Sequence, residues 1–349
     1  MGGGEEIGTP NILRAILIRS DKVNKLKWGL LSTARISGAV MPPIRLSHRS
    51  ELVGVASREQ AKADAYAHEH DIPRAYGMYE AMLADPDINV IYNPLPNHLH
   101  AEWTIKAAEA GKHVLCEKPL ALSVAEVNRV MAAARANHVV VAEAFMYKHH
   151  PQTLKVLELL KNKPIGELLT IKGVFTFDLM PRPDDIRWVP EYGGGSIWDV
   201  GCYPISFTRL IAQAEPIEVL GYQTTSASGV DAVFVGQLRF ANGLLAQFES
   251  GFHTPYRSWL EVVGTRGSMF IGAPFKPADR AFIALNYGDR SEQIEVSAGH
   301  LYQGEIDDME NAVLDGKPQR ISLEDSRNNV ALICACLESA RTGSVVRLG

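Results

Sequence analysis

Three observations predict an α/β dinucleotide-type domain, with a parallel sheet and helices on both faces, followed by an α+β domain with a large, mostly antiparallel open sheet. Up to about residue 150, strand-like and helix-like runs alternate, the succession that builds a parallel sheet covered on both sides. Beyond it, strand-like runs succeed one another through short turns, which makes an antiparallel sheet. The 349 residues exceed the roughly 250–300 at which a single core stops growing. Two domains are therefore expected, at 26–148 and 149–349, after an extension at 1–25 and with the C-terminal helices returning toward the first domain.

A 21% charged fraction, a formal net charge of −5 and the absence of a long Lys/Arg run argue against a nucleic-acid or acidic-membrane surface. Cys116, Cys202, Cys334 and Cys336 are too few and scattered for a disulfide framework, so they read as core thiols of a cytoplasmic protein. No apolar run approaches the ~20 residues that span a bilayer. Residues 11–19 are apolar but broken by Arg14, and Glu6 occupies the place where a myristoylation signal has Ser or Thr. The first 25 residues read as an arm.

The first strand is expected at 26–31. Ser32, Thr33, Ala34, Arg35 and Ile36 then open a helical pattern running to about Ile44. Strand, small-residue turn and helix begin a dinucleotide-binding unit. Ser32, Ala34 and Ser37 stand where that fingerprint has glycines; small side chains still allow close backbone approach, and a helix N-terminus receives phosphate. The second strand, 51–56, ends in Ser57-Arg58, where an acidic residue would hold the ribose 2′-hydroxyl of NAD. A hydroxyl and a guanidinium suit a 2′-phosphate, and NADP(H) is expected over NAD(H).

Helices at 63–70 and 79–84 follow, then a strand at 88–92 leading into Asn93-Pro94-Leu95-Pro96-Asn97-His98-Leu99-His100. A helix to Ala110, a strand at 112–115, a helix at 123–137 and a strand at 139–142 complete the domain. The loops at Ser32–Ile36, Ser57-Arg58, Pro94, Leu95, Asn97 and His100, and Glu117-Lys118 then share one sheet edge, the dinucleotide crevice. His98/His100 and His149/His150 lack metal-ligand spacing, so no metal is expected.

After Pro151 a helix at 152–162 leads to a strand at 166–177, a charged and proline-rich loop at 180–192, and Gly193-Gly194-Gly195-Ser196. The glycines let backbone come close to whatever lies in the cleft. A helix starts near Ile197 and places Asp199 and Tyr203, four apart, on one face. Strands are expected at 218–225, 230–240, 244–252, 259–263, 268–271 and 281–286, with Asn242-Gly243 as a hairpin turn, and helices at 303–314 and 323–340. A tyrosine shuttles a hydroxyl proton when a nearby ammonium lowers its pKa. Lys118, at a strand end on the ligand edge, is the candidate for that ammonium.

Five motifs in order make the chain similar to the glucose–fructose oxidoreductase/inositol dehydrogenase (Gfo/Idh/MocA) family from Leu26 onward. They are Glu117-Lys118-Pro119, the Pro94 to His100 stretch, the stretch from Glu143 through Phe145 and His150 to Pro151, that from Gly193 to Tyr203, and Ser322-Leu323-Glu324-Asp325-Ser326. Tyr203 stands where many members have histidine. This resembles the branch containing glucose–fructose oxidoreductase, dimeric dihydrodiol dehydrogenase and NADP-dependent D-xylose dehydrogenase. The resemblance implies a nicotinamide-dependent enzyme acting on sugars, sugar-derived ketones or aldehydes, or cyclic diols, with Tyr203 as acid/base, Lys118 as its partner and Asp199 assisting. Phe145, Arg187 and Trp188 join Lys118, Asp199 and Tyr203 as expected substrate contacts. A homodimer or homotetramer through the open sheet is expected. An NAD-dependent glycosidase and a non-catalytic dinucleotide-binding regulator are alternatives; the retained Lys/Tyr pair argues against the second, Ser57-Arg58 against the first.

Overall fold

A computed structural model describes residues 25–348; the expected arm lies, apart from Lys25, outside the described residues. The chain begins with β1 (Leu26–Leu31), α1 (Ser37–Leu46), β2 (Ser50–Ala56), α2 (Gln60–Glu69), β3 (Arg74–Tyr76), α3 (Tyr79–Leu83), β4 (Val90–Asn93), α4 (Asn97–Glu109), β5 (His113–Glu117), α5 (Val124–Ala136) and β6 (Val141–Ala144). The six strands pair in parallel in the order β3-β2-β1-β4-β5-β6. From β1 the chain works outward to β3, then crosses back to β4. The strand order therefore reverses between β1 and β4, and a crevice opens beyond their carboxyl ends. Side chains alternate through the sheet: Leu26, Trp28 and Leu30 face one core, whereas Leu31 joins Ile91 and Val114 in the other.

Two boundaries differ from expectation. Helix α1 starts at Ser37 rather than near Ser32, because residues 33–36 form a turn in which the Ser37 amide donates to the Ala34 carbonyl at 3.0 Å. Strand β3 is three residues long and mostly polar, too short to leave an apolar period.

The second part contains α6 (Pro151–Lys161), β7 (Leu168–Asp178), a π-helical turn at Ile197–Gly201, α7 (Cys202–Ala212), β8 (Pro216–Thr225), β9 (Asp231–Phe240), β10 (Leu245–Gly251), β11 (His253–Gly264), β12 (Gly267–Gly272), β13 (Arg280–Tyr287), β14 (Arg290–Ser297), α8 (Gln303–Asp315), α9 (Leu323–Thr342) and β15 (Val346–Arg347). The nine strands run in the order β14-β13-β12-β11-β7-β10-β9-β8-β15. Pairing is antiparallel except between β7 and β10. The hairpin between β9 and β10 turns at Asn242-Gly243, where Gly243 takes φ +89° and Asn242 Oδ1 accepts from the Leu244 amide at 3.1 Å. Strand β14 escaped the sequence pattern because it is almost wholly polar and exposed.

Helix α7 lies on one face of this sheet, with Pro204 so near Gly173 that a Cβ there would meet it at 2.8 Å. The other face carries exposed Tyr222, Val235, Leu245, Phe270 and Phe282. Helix α8 returns to the first sheet: Ile306 and Met309 join the core of Val40 and Ile44, and Glu310 accepts from Ser50 Oγ at 2.6 Å. Ser322 caps α9 through the Asp325 amide. Asp325 then receives Lys148, and Arg209 at 3.0 Å, so the last motif ties the two parts together.

Candidate active site

Beyond the ends of β1, β4 and β5 lies a cavity of about 720 Å³. Ala34, Arg35, Ile36 and Ala39 line it after β1, Pro94 to Asn97 with His100 after β4, and Glu117 and Lys118 after β5. The second sheet and its loops supply Phe175, Phe177, Arg182, Ile186, Arg187, Asp199, Val200, Tyr203, Tyr256 and Lys276, and Tyr302 comes from the turn before α8.

Lys118 leaves β5 and crosses to the second sheet's helices. Its Nζ donates to the Asp199 carbonyl at 2.6 Å and lies 3.1 Å from Asp199 Oδ1. Arg187 Nε donates to the other carboxylate oxygen at 2.7 Å, and its Nη1 reaches Asp185 at 3.0 Å. Burial disfavours the Asp199 carboxylate, but Lys118 and Arg187 outweigh it and hold its pKa well below the usual range. Burial likewise opposes the Lys118 ammonium, and Asp199 outweighs it, leaving the pKa raised. Lys118 is therefore a fixed ammonium.

Asp199 reaches this place through the π-helical turn, which precedes the α-helix carrying Tyr203; both side chains line the same cavity. Asp231 builds the turn's start by accepting from Ser196 Oγ at 2.6 Å and from the Ile197 amide at 2.8 Å. The glycines before it allow close packing within the protein itself. Gly193, at φ +74°, would drive a Cβ to 2.5 Å from Leu122, and Gly195, at φ +111°, to 2.1 Å from Asp231 Oδ1. Asn97 Nδ2 donates to the Gly193 carbonyl at 2.9 Å, which docks this loop on α4.

Tyr203 is 3% exposed, edge-on to Phe145 and Phe175 and tilted against Phe275. Its hydroxyl donates to Met146 Sδ at 3.8 Å. Lys118 Nζ stands over the ring, 5.1 Å from its centroid, with its hydrogen bonds given to Asp199. The expectation that Lys118 depresses the Tyr203 pKa is thus corrected: burial raises it well above 10.0, assisted by Cys202 and Glu117.

Several expected contacts occupy other places. Phe145 is fully buried behind Tyr203. Trp188 is turned edge-on to Phe252, with Nε1 donating to the Arg182 carbonyl at 3.1 Å, and anchors its loop. His100 borders the cavity, but both ring nitrogens are held, one on the Pro119 carbonyl at 2.7 Å and one on that of Leu95 at 2.6 Å. It braces the two ligand loops, donating from one ring nitrogen to one of these carbonyls. Asn93 is buried and spans His100, Thr104 and Leu95, which makes it a turn residue. Glu117 Oε1 accepts from Tyr92 at 2.5 Å. Ser32 and Thr33, half-buried, and Ser57 and Arg58, at the end of β2, lie on the same sheet edge outside the main cavity. Glu143 Oε1 accepts from the Leu120 amide at 2.9 Å, supporting the loop behind Lys118.

The crevice fits a dinucleotide. Ser32 takes φ +142°, a conformation that favours glycine, so the turn after β1 keeps its path without one. Ala34, Ala39 and the N-terminus of α1 leave the backbone open to a pyrophosphate.

The family model described as "Oxidoreductase family, NAD-binding Rossmann fold" matches residues 26–145, and the Gfo/Idh/MocA C-terminal domain matches residues 153–270. The chain belongs to the Gfo/Idh/MocA oxidoreductase family. Among similar family proteins is D-xylose 1-dehydrogenase (NADP(+)) 2 of Haloferax volcanii, 37% identical over 93% of this chain and 100% of its own. Another is the trans-1,2-dihydrobenzene-1,2-diol dehydrogenase of Xenopus laevis, 34% identical over 70% of this chain and 74% of its own. The crystal structure of a 3-ketoreductase from Actinomadura kijaniata, in complex with NADP and TDP-benzene, superposes with a TM-score of 0.86 at 29% identity, covering 90% of this chain and 98% of that one. Family membership makes this chain an oxidoreductase. No helix among the described residues is long and apolar enough to cross a membrane.

Proposed function

We propose that this oxidoreductase uses NADP(H) to interconvert a hydroxyl and a carbonyl on a sugar, a sugar-derived ketone or aldehyde, or a cyclic diol. The observation that carries this reading is the convergence of Lys118, Asp199 and Tyr203 on one cavity at the β1/β4 crevice. The turn at Ser32–Ile36, the start of α1, and Pro94, Leu95, Asn97 and Glu117 would hold the dinucleotide, with Ser57 and Arg58 taking the 2′-phosphate. The NADP-linked relatives support that choice. A nicotinamide bound there supplies or accepts hydride; proton and charge fall to the protein.

The substrate oxygen lies between the Tyr203 hydroxyl and the Lys118 ammonium. Asp199 is a positioning residue: it aims Lys118 through carboxylate and carbonyl together, and Arg187 fixes the carboxylate. Lys118 stabilises negative charge developing on that oxygen, and Tyr203 gives it a proton. Burial keeps Tyr203 protonated, so it holds the proton that carbonyl reduction needs and that alcohol oxidation returns.

Nicotinamide absorbance with a panel of ketoses, aldoses and diols tests the reading. Lys118→Met and Tyr203→Phe are each expected to lower kcat by about 10²–10⁴-fold while NADPH still binds. Turnover near normal in either variant rejects the assignment, and aglycone release without net nicotinamide change would indicate a glycosidase. The exposed apolar side chains on the outer face of the nine-stranded sheet support a homodimer or homotetramer, which light scattering measures. Three buried free thiols, Cys116, Cys202 and Cys336, support a cytoplasmic location.

A further inference from the structure

The substrate side of the cavity carries more cations than its neighbours neutralise. Arg182, Arg187, Lys118 and Lys276 line it. Arg182 and Arg187 share Asp185, at 3.2 and 3.0 Å, and Arg187 and Lys118 share Asp199, at 2.7 and 3.1 Å. The remaining lining carboxylate, Glu117, is turned to the Tyr92 hydroxyl and the Lys118 amide. Lys276 has neither a hydrogen bond nor an ion pair among the described residues.

Lys276 stands on a fixed base in the loop between β12 and β13. Phe275 before it is fully buried, stacked on Phe175 at 5.2 Å and 5.8 Å from the Tyr203 ring. Pro277 after it is buried and holds a restricted φ. The backbone is thus pinned beside the Tyr203 cluster while the side chain reaches the open cavity. Burial chiefly disfavours an ammonium in this place, and Lys118 and Arg187 repel it while Asp199 and Glu117 attract it.

We propose that Lys276 is a specificity residue that binds an anionic group, a carboxylate or phosphate, on the sugar substrate. A bound anion would complete the charge balance of the cavity, and Tyr256 and Phe177 beside it would pack on the sugar ring. The proposal rests on the sugar-oxidoreductase reading for its substrate class.

The test measures binding and turnover separately. Calorimetry with saturating NADP⁺, which occupies the phosphate-binding crevice, gives Kd for D-glucose, D-glucuronate and a glucose monophosphate. The intact protein is expected to bind one of the anions about tenfold or more tighter than glucose, the gain from a charge-assisted hydrogen bond. Lys276→Gln removes that preference while glucose affinity stays within about twofold; Lys276→Arg retains it. Whichever anion binds tighter identifies the group. Glucose binding as tightly as both anions, or a Lys276→Gln variant weakened equally toward all three, overturns the proposal. Anion preference without turnover of any sugar leaves Lys276 its role and rejects the reaction, whereas turnover without anion preference does the reverse.

Discussion

Asp199→Asn is the most informative single change. It keeps the shape and the carbonyl that holds Lys118 at 2.6 Å but removes the charge shared with Arg187. Arg187 retains Asp185 at 3.0 Å; Lys118, whose side chain is 13% exposed, has no second ion pair among the described residues. Leaving a buried charge unpaired costs about 3–5 kcal/mol, and the surviving carbonyl contact puts this case near the lower figure. A loss of about 3 kcal/mol lowers Tm by roughly 4 °C in a chain of this size. Lys118→Met alone costs less, since Asp199 still has Arg187 at 2.7 Å. In the double variant the asparagine strands no lysine, so a double-mutant cycle in urea should give a coupling of about 2 kcal/mol. The Asp199 pKa is depressed in the folded state. Its contribution is therefore present above the unfolded carboxylate value of about 3.9 and is lost as pH falls, so wild type and Asp199→Asn converge in strong acid. A coupling below about 0.5 kcal/mol, or a stability gap independent of pH, would refute the reasoning.

Three other outcomes follow from the same geometry. Because Tyr203 stays protonated well above 10.0, the carbonyl-reduction rate should be flat from weakly acidic to weakly alkaline pH and fall only in strong base; a titration near neutrality would point to another proton donor. Arg58→Ala should weaken NADP⁺ about ten- to a hundredfold, the loss of a charge-assisted phosphate contact, and leave NAD⁺ unchanged; equal losses in fluorescence titrations would remove Arg58 from the phosphate site. Ser32 holds φ +142°, where a side chain costs about 1–3 kcal/mol. Ser32→Gly should therefore stabilise by about 1 kcal/mol after the entropy of the added glycine, and thermal melts at or below wild type would contradict that strain.

Wherever period and turn chemistry decide, the fold was legible. The strand before Lys118, the Asn242-Gly243 hairpin and the returning C-terminal helices all appear near their expected places. Lys118 at a strand end, Asp199 and Tyr203 in a glycine-punctuated motif, and Arg187 in the loop before it all line one cavity. Side-chain direction in irregular loops has no period to read. Trp188 and Arg187 are neighbours, yet one turns to Phe252 and the other to Asp199. Lys276 and Tyr302 reach the cavity from distant loops, Arg182 from the loop that carries Arg187, and Tyr256 from β11. The sequence signal for Lys276 was its setting in Pro274-Phe275-Lys276-Pro277, which marks a pinned loop without saying what it faces. His100 lines the cavity as a ligand-loop residue would, and tertiary packing sets its ring against the Pro119 and Leu95 carbonyls.

The lysine and its counter-ion come from different sheets, and this governs how the site is assembled. Lys118 leaves the end of β5, whereas Asp199 belongs to a turn fixed by Asp231 at the start of β9. The same turn follows the glycine loop that docks on Asn97, the first residue of α4. A displacement between the two sheets that breaks the Asn97–Gly193 contact would also separate Lys118 from Asp199. The ammonium would then lose the counter-ion that aims it at the substrate oxygen. The cavity is therefore competent only when the sheets are docked, and His100 ties the loops after β4 and β5 into the same closure. Ordering of the crevice loops around a dinucleotide would thus fix the position of the residue that meets the substrate oxygen.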